Sequence, residues 1–264
     1  MPMPALKTKS SDKRVKRAAA TFAGLIVAAA ATGCFGSIAE PQTNEKETDA
    51  GAAVARVEPL PPGRTHYGKS YAEWNSAWWQ WYYRSPGSKH PVEDPTGEHC
   101  AVGQDPASPV FFLAGTRGGK AQRACTISSG KALFVPVLNV ASDNGGLPEA
   151  NWSTEAELEV RVNEWVKSTM SSSIIVDGVR IDDLHAKYMV PATRFKYDVP
   201  AGDNVYALRG VQNVSGPVNP SFSGGIYIML PPLARGKHSV RFVGENTGDG
   251  ASFAVDVSYE LAVE

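Results

Sequence analysis

The chain has 264 residues, enough for one large domain or two small ones, and at 42% hydrophobic and 20% charged its composition is that of a globular protein. The net charge of −1 is unevenly distributed, because residues 1–33 hold six lysines and arginines against one aspartate, which leaves a net charge of about −6 from Cys34 onward. A domain of that sign lacks the positive surface that binds phosphate backbones, so the charge argues against nucleic acid as a partner.

Residues 1–33 have the pattern of a secretory leader. A basic stretch is followed by an uncharged segment, residues 18–31, which has the length of a signal-peptide core and is shorter than the roughly 20 apolar residues of a membrane span. The small residues before Cys34 resemble the lipobox of bacterial lipoproteins, in which the cysteine is diacylated and becomes the new N terminus. Ala31 departs from the larger aliphatic residue usual in that motif, so cleavage after Ala39 by an ordinary signal peptidase is the alternative.

This leader predicts an exported protein of the bacterial cell envelope. With lipid on Cys34, the protein would be anchored to a membrane, and the expected location is the outer membrane or the cell surface. Without the lipid, the protein would be periplasmic or secreted. Residues 34–67 are polar, charged and proline-rich, and they predict a flexible tether. A single domain is then expected over residues 68–264.

The cysteine count supports export. The chain has three cysteines, an odd number, so in an oxidising compartment one thiol would be left without a disulfide partner. If Cys34 carries lipid, Cys100 and Cys125 remain and are expected to form one disulfide. In a cytosolic protein the same two residues would be buried free thiols, but the leader argues against that location.

Two helices are predicted in the domain. The first covers residues 70–84, where Ser70 and Glu73 have the spacing of a capping box and aromatic residues recur at intervals of three and four. The second lies near residues 155–170 and starts with a similar box at Thr154. Its predicted apolar stripe is Leu158, Val162, Trp165, Val166 and Met170.

The rest of the domain alternates short apolar runs with turn residues. The predicted strands are residues 110–114, 122–127, 131–138, 174–176, 179–181, 194–199, 206–211, 225–230, 238–243 and 252–263. Pro136 indicates an edge strand or a bulge, and Asp177-Gly178 predicts a type I′ hairpin turn. This spacing favours a mainly β fold: an antiparallel β-sandwich, Ig-like or jelly-roll-like, with two helices of which one is rich in aromatic residues.

One motif suggests nucleotide binding, and we reject it. Residues 63–70 match G-x-x-x-x-G-K-[ST], and a predicted helix follows them. The preceding residues, 58–62, contain three prolines and cannot form the buried strand that holds a phosphate-binding loop. The five histidines are scattered, without H-E-x-x-H or C-x-x-C spacing. We therefore expect no nucleotide, no metal and no other cofactor.

Several stretches of the domain resemble a group of exported bacterial proteins. They are residues 71–81, 96–115 and 130–139, and residues 227–238 resemble the group's later signature, an aromatic strand that leads to a Gly-Lys-His turn. The likeness covers most of residues 68–262. It implies a shared fold with the aromatic helix and the cysteine pair, and it implies no activity.

The aromatic helix is the most unusual feature of the sequence. Seven of the thirteen residues at positions 71–83 are aromatic, more than one apolar stripe of a helix can hold. Either all the rings pack in the core, or the surplus rings line a groove for an apolar or sugar ligand or bind a partner protein. The candidate face for a glycan, lipid or protein partner is formed by Trp78, Trp79, Tyr82 and Tyr83.

These observations favour a non-catalytic envelope lipoprotein that binds a ligand or partner through that aromatic face. The sequence has no G-x-S-x-G motif and no cysteine left to act as a nucleophile. Two alternatives remain open. One is a secreted hydrolase of polysaccharide or cell wall, with acids such as Asp143, Glu149 or Asp182 meeting in a cleft. The other is a purely structural surface protein.

Overall fold

The computed structural model describes residues 56–248 and 252–264. The predicted leader, the predicted lipidation site Cys34 and the predicted tether as far as residue 55 lie outside the described residues. In the part that is described, no helix is both long enough and apolar enough to cross a membrane.

The described strands form two sheets. The strands are β1 (Val110–Phe112), β2 (Gly119–Ile127), β3 (Ala132–Asp143), β4 (Thr169–Val176), β5 (Val179–Asp182), β6 (Met189–Val199), β7 (Gly216–Leu230), β8 (Gly236–Asn246) and β9 (Phe253–Val263). The strand order is β1-β3-β7-β6 in the first sheet and β2-β9-β8-β4-β5 in the second. The α-helices are α1 (Tyr71–Arg84), α2 (Glu155–Lys167), α3 (Leu184–Tyr188) and α4 (Val205–Leu208).

The mainly β, sandwich-like fold predicted from the sequence is confirmed, although each sheet is mixed rather than purely antiparallel. β1 pairs with β3 in parallel, and β2 pairs with β9 in parallel. Parallel neighbours need a crossover connection, and here β2 supplies it. The chain leaves the first sheet after β1, forms β2 in the second sheet and returns to the first as β3.

Both long helices begin where the sequence predicts. Ser70 and Glu73 form the two reciprocal hydrogen bonds of a capping box at the start of α1, and Thr154 does the same with Glu157 at α2. The second helix ends at Lys167, three residues early. Met170 therefore lies in β4 with 67% of its surface exposed, and its assignment to the apolar stripe is wrong.

The predicted hairpin turn and the predicted bulge are confirmed, and one predicted strand is wrong. Asp177-Gly178 joins β4 to β5 with both residues at positive φ, as a type I′ turn requires. Pro136 precedes a bulge in β3, but β3 lies between two other strands and is not an edge. Residues 206–211 do not form a strand, because Asn204 caps the short helix α4 through hydrogen bonds from Tyr206 N and Ala207 N.

The first sheet is covered on both faces. On one face the second sheet approaches closely: a Cβ at Gly244 of β8 would lie 2.3 Å from Cγ of Leu138. On the other face lies α1, whose Tyr71 ring contacts Phe134 edge-on with centroids 5.9 Å apart. The central strands β3 and β7 therefore form the middle layer of the domain.

The contacts of the domain begin before residue 68, the predicted boundary. Leu60 N donates to the carbonyl of Met229 at 2.8 Å, so the chain pairs with β7 there. The hydroxyl of Tyr71 donates to the Leu60 carbonyl and accepts from Met229 N. The last part of the predicted tether is thus packed against the sheet.

Candidate functional site

The aromatic residues of α1 are buried. Each of the seven rings of this helix exposes 9% or less of its surface. Trp79 Nε1 donates to the hydroxyl of Tyr227 at 3.1 Å, and Tyr83 stacks on Tyr197 of β6 with centroids 3.6 Å apart. The buried rings include those of the four candidate residues, Trp78, Trp79, Tyr82 and Tyr83. They do not form an open face of the domain.

The loop between α1 and β1 covers the side of the helix that the sheet leaves free. Trp81 Nε1 donates to a carbonyl of this loop at 2.9 Å, and His90 Nε2 lies 2.9 Å from the carbonyl of Tyr82. A disulfide joins Cys100 of the loop to Cys125 of β2, which confirms the predicted pair. Because the helix packs against both the sheet and the loop, it buries more rings than one apolar stripe holds.

A pocket opens where β1 and β3 separate. The two strands run parallel, and their pairing ends at Phe112 and Phe134. Beyond that point the chain turns away at residues 114–118, while β3 continues past the bulge at Pro136 as far as Asp143. In open sheets, the carboxyl ends of diverging parallel strands are a frequent place for ligands.

All four candidate rings lie on the wall of this pocket, which has a volume of about 260 Å³. Trp78, Trp79, Tyr82 and Tyr83 supply the aromatic side. The opposite side comes from residues 115–117 and 139–141, and Val92, Arg209 and Phe253 complete the lining. The structure therefore brings the predicted residues together around a cavity rather than on a flat surface.

Several polar groups at the pocket are unpaired. Thr116 Oγ1 and Asn139 Nδ2 are buried and have no hydrogen-bond partner of good geometry among the described residues. Burial raises the pKa of Tyr227, and the Asn139 side chain lies close enough to the Tyr227 hydroxyl to oppose that shift. The Tyr82 hydroxyl accepts from Arg209 Nη2, and its own proton has no acceptor in the described part of the chain. A buried polar group left unpaired costs about 1–3 kcal/mol, so such groups mark places where water or a ligand binds.

Two arginines place positive charge at the pocket. Arg117 Nη1 lies 3.5 Å from a carboxylate oxygen of Glu93, and Arg209 contacts the Tyr82 hydroxyl. Burial raises the pKa of Tyr82 and the charge of Glu93 adds to that shift, while the charges of Arg209 and Arg117 oppose it. Tyr82 is therefore a neutral hydroxyl that can donate a hydrogen bond, and both guanidinium groups lie close to it.

A buried arginine holds one wall of the pocket. Arg123 Nη1 donates to the carbonyls of Ala114 at 2.6 Å and Gly115 at 3.0 Å, and Nη2 donates to the carbonyl of Val92 at 3.1 Å. Val92 and Gly115 both line the pocket. Arg123 thus positions the wall although its own side chain is not part of the lining.

A cluster of tyrosines around one aspartate supports the aromatic side. The Tyr83 hydroxyl donates to Asp143 Oδ2 at 2.9 Å, and Tyr206 donates to Oδ1 at 3.3 Å. The Tyr197 hydroxyl bonds to that of Tyr206. Burial raises the pKa of Tyr83, and the negative charge of Asp143 raises it further. Tyr83 is therefore neutral and fixed in orientation.

The acids considered for a hydrolase lie on separate elements. Asp143 ends β3 and accepts the hydrogen bonds of the tyrosine cluster, whereas Glu149 belongs to the short 3₁₀ turn that follows. Asp182 ends β5, an edge strand of the second sheet, and pairs with Arg180 at 2.7 Å. Within the described ranges, no three His, Cys, Asp or Glu side chains form a group that could hold a metal ion.

The rejected nucleotide motif also has a local structural role. Lys69 Nζ lies 4.6 Å from the ring centroid of Trp74, in a cation–π contact on α1. The backbone of His66 pairs with that of Lys69, and the carbonyl of His66 accepts from Trp74 Nε1. The motif residues thus form a turn that packs onto the start of the helix.

Sequence reasoning missed the polar residues of the pocket. Arg117 falls in a predicted turn and Arg209 in a predicted strand, where an arginine looks like ordinary solvated surface. Thr116 carries no signal of its own. Asn139 ends one of the stretches that resemble exported bacterial proteins, and that resemblance was the one available clue.

Comparison with known proteins gives no assignment. No protein-family model matches the chain, and no curated protein matches it significantly. The resemblance to a group of exported bacterial proteins stays a prediction, and the chemistry of the site rests on its own geometry.

Proposed function

We propose that this domain is a non-catalytic binding module that holds a small ligand in the aromatic pocket, and that the chain carries it in the bacterial envelope as a lipoprotein. One observation carries the binding role: four buried rings meet unpaired polar groups around a cavity. A pocket lined by apolar and aromatic side chains, with a few polar groups that orient the ligand, is the usual form of a small-molecule site.

The size of the pocket favours a small ligand over a partner protein. A stable protein interface buries about 800 Å² on each partner, and its central aromatic residues must be accessible before binding. The four rings expose only 2–9% of their surface, too little for such an anchor. A volume of about 260 Å³ is near the lower end of ligand pockets and suits a molecule of one ring.

The envelope location is supported by the leader and by the disulfide. Disulfides persist in oxidising compartments, and Cys100–Cys125 fixes the loop that covers α1. Lipidation can be tested by expressing the full chain in a bacterial host with radiolabelled palmitate, beside Cys34→Ala. Label in the wild-type protein alone supports the proposal. Unlabelled protein whose N terminus is Glu40 shows cleavage after Ala39 and contradicts the lipid anchor.

Ligand binding can be tested by filling the pocket without touching its rings. Ala141 lines the pocket on β3, and Ala141→Phe would occupy the space that a ligand needs. Ala201 is exposed and lies outside the pocket lining, so Ala201→Phe is the matched control. A panel of monosaccharides, single-ring aromatic compounds and short fatty acids is screened by saturation-transfer NMR and tryptophan fluorescence.

The proposal requires at least one compound that binds the wild-type protein and Ala201→Phe but not Ala141→Phe. Thermal unfolding of the three proteins shows whether the filled variant still folds. If every compound that binds does so equally well to Ala141→Phe, the pocket is not the binding site. If Trp79→Ala and Tyr83→Ala merely unfold the protein and no compound binds, the rings serve the core alone.

A further inference from the structure

The free hydrogen-bonding groups of the pocket are mostly donors. A guanidinium group has donors and no acceptor, so Arg117 and Arg209 can only donate. The unpaired atom of Asn139 is its amide nitrogen, and the Tyr82 oxygen already accepts from Arg209, which leaves its proton. Thr116 alone can act either way. A ligand that pairs these groups must present acceptors.

Among the described residues, the lining of the pocket carries two arginines and no carboxylate, although the chain from residue 34 onward is acidic overall. The carboxylates of Glu93 and Asp143 lie behind the lining, next to Arg117 and Tyr83. Arg117 is paired with Glu93 at 3.5 Å, a long and partly exposed contact. Arg209 forms no salt bridge with any described carboxylate, and its guanidinium contacts the Tyr82 ring and hydroxyl instead. As far as the described residues show, the pocket therefore has one guanidinium without a carboxylate partner and a second whose partner is weakly held.

The volume indicates how much of a ligand the pocket can enclose. An apolar protein cavity of about 150 Å³ holds benzene. The pocket, at about 260 Å³, has room for one ring and a small substituent. The aromatic side offers Trp and Tyr surfaces to that ring, and the arginines offer paired donors to the substituent.

From these observations we infer that the ligand is a small organic acid: one ring that bears a carboxylate, with the ring against Trp79 and Tyr82 and the carboxylate bound by Arg117 and Arg209. This inference rests on the proposed binding function and narrows its ligand class. Asn139 and Tyr82 donate to the remaining acceptor atoms of the ligand.

Matched pairs of probes test the charge and the ring separately. Benzoate is compared with benzamide, and glucuronate with glucose, because each pair differs mainly in charge. Inorganic phosphate tests an anion without a ring. Affinities are measured by calorimetry and ligand-observed NMR for the wild-type protein, Arg117→Gln and Arg209→Gln. Arg235→Gln removes one exposed charge outside the pocket lining and is the matched control.

We expect at least one acid to bind about tenfold or more tightly than its neutral partner, as the loss of a charge-assisted hydrogen bond implies. Arg117→Gln and Arg209→Gln should each remove most of that preference, whereas Arg235→Gln should not. Arg209→Lys keeps the charge but loses the planar fork, so it should recover only part of the affinity. Raising the salt concentration should weaken the acid and not the neutral compound.

Four results would overturn the inference. Equal binding of both members of each pair would leave the pocket as a binding site but remove the acid. Binding of phosphate as tight as that of the acids would mean that the ring is not recognised. If no acid binds while other compounds show binding that Ala141→Phe abolishes, this inference fails and the proposed function stands. If no compound of either set binds, both fail.

Discussion

Replacing Arg123 by methionine tests what holds the pocket wall in place. The side chain exposes 3% of its surface, and its guanidinium donates five hydrogen bonds. The acceptors are the carbonyls of Val92, Asp94, Ala114 and Gly115 and the hydroxyl of Tyr259. None of the described carboxylates forms a salt bridge with this guanidinium, so neutral groups alone hold a buried charge.

The expected cost follows from what methionine leaves behind. A hydrogen bond to a charged group contributes about 1.5–3 kcal/mol, but burying the guanidinium costs several kcal/mol, so the gross sum is not the net effect. Arg123→Met removes both the hydrogen bonds and the desolvation cost. It leaves the carbonyls of Val92, Asp94 and Gly115 without a donor, whereas the Ala114 carbonyl keeps the Tyr259 hydroxyl. We expect the free energy of unfolding to fall by about 3–5 kcal/mol, because each buried carbonyl left without a donor costs about 1–3 kcal/mol and the desolvation cost of the removed guanidinium offsets part of that sum.

The assay is urea unfolding followed by tryptophan fluorescence, with the slope against denaturant compared between variants. Gln122 is the exposed neighbour on the same strand, so Gln122→Met is the matched control and should change the free energy by less than about 0.5 kcal/mol. A loss below about 1 kcal/mol for Arg123→Met at unchanged slope would refute the reasoning, because the carbonyls would then have found other partners.

The remaining predictions concern the disulfide and two histidines. Replacing Cys100 and Cys125 together by serine should lower the free energy of unfolding by about 3–4 kcal/mol, measured by urea unfolding against the oxidised protein. Burial lowers the pKa of His90, so its contribution to stability is present above the unfolded value near 6.5 and is lost as the pH falls below it. His90→Gln should therefore flatten the loss of stability between pH 7 and pH 5, and an unchanged slope would contradict this. For His238, partial burial alone would lower the pKa, but the hydrogen bonds to Asp177 and to a backbone carbonyl outweigh it and raise the pKa. Its contribution is complete below about pH 6.5 and is lost as the pH rises through the higher folded value, so the free-energy difference between wild type and His238→Gln should shrink from pH 6 to pH 9.

Local features of the fold could be read from the sequence because neighbouring residues determine them. The capping box of Ser70 and the turn at Asp177-Gly178 depend on residues a few positions apart. The parallel pairing of β1 with β3 could not be read in the same way, since it depends on β2 joining the other sheet. For α4, the capping signal of Asn204 was outweighed by a run of apolar residues that resembled a strand.

The site could be predicted only in part, because part of it depends on residues that are distant in the sequence. The surplus of rings in α1 was visible as composition, and Trp79 and Tyr83 do line the pocket. Which residues face those rings depends on where β1 and β3 diverge, after Phe112 and Phe134 and shortly before the bulge in β3. Arg117 and Arg209 are nearly a hundred residues apart in the sequence, and only the folded arrangement of the strands brings both to the lining of one pocket.

The surplus of rings and the covering loop require each other. A helix with seven aromatic side chains cannot bury them against one sheet, and ordering a long loop over the other side costs about 1–2 kcal/mol per residue in backbone entropy. The disulfide at Cys100, the buried His90 and the carbonyls bound by Arg123 all act on this loop, and Val92 of the same loop lines the pocket. The contacts that stabilise the domain therefore also hold the wall of the pocket in place. A loosened loop should weaken ligand binding even where every lining residue is intact, so the serine variant of the disulfide should bind less tightly than the oxidised protein while it remains folded.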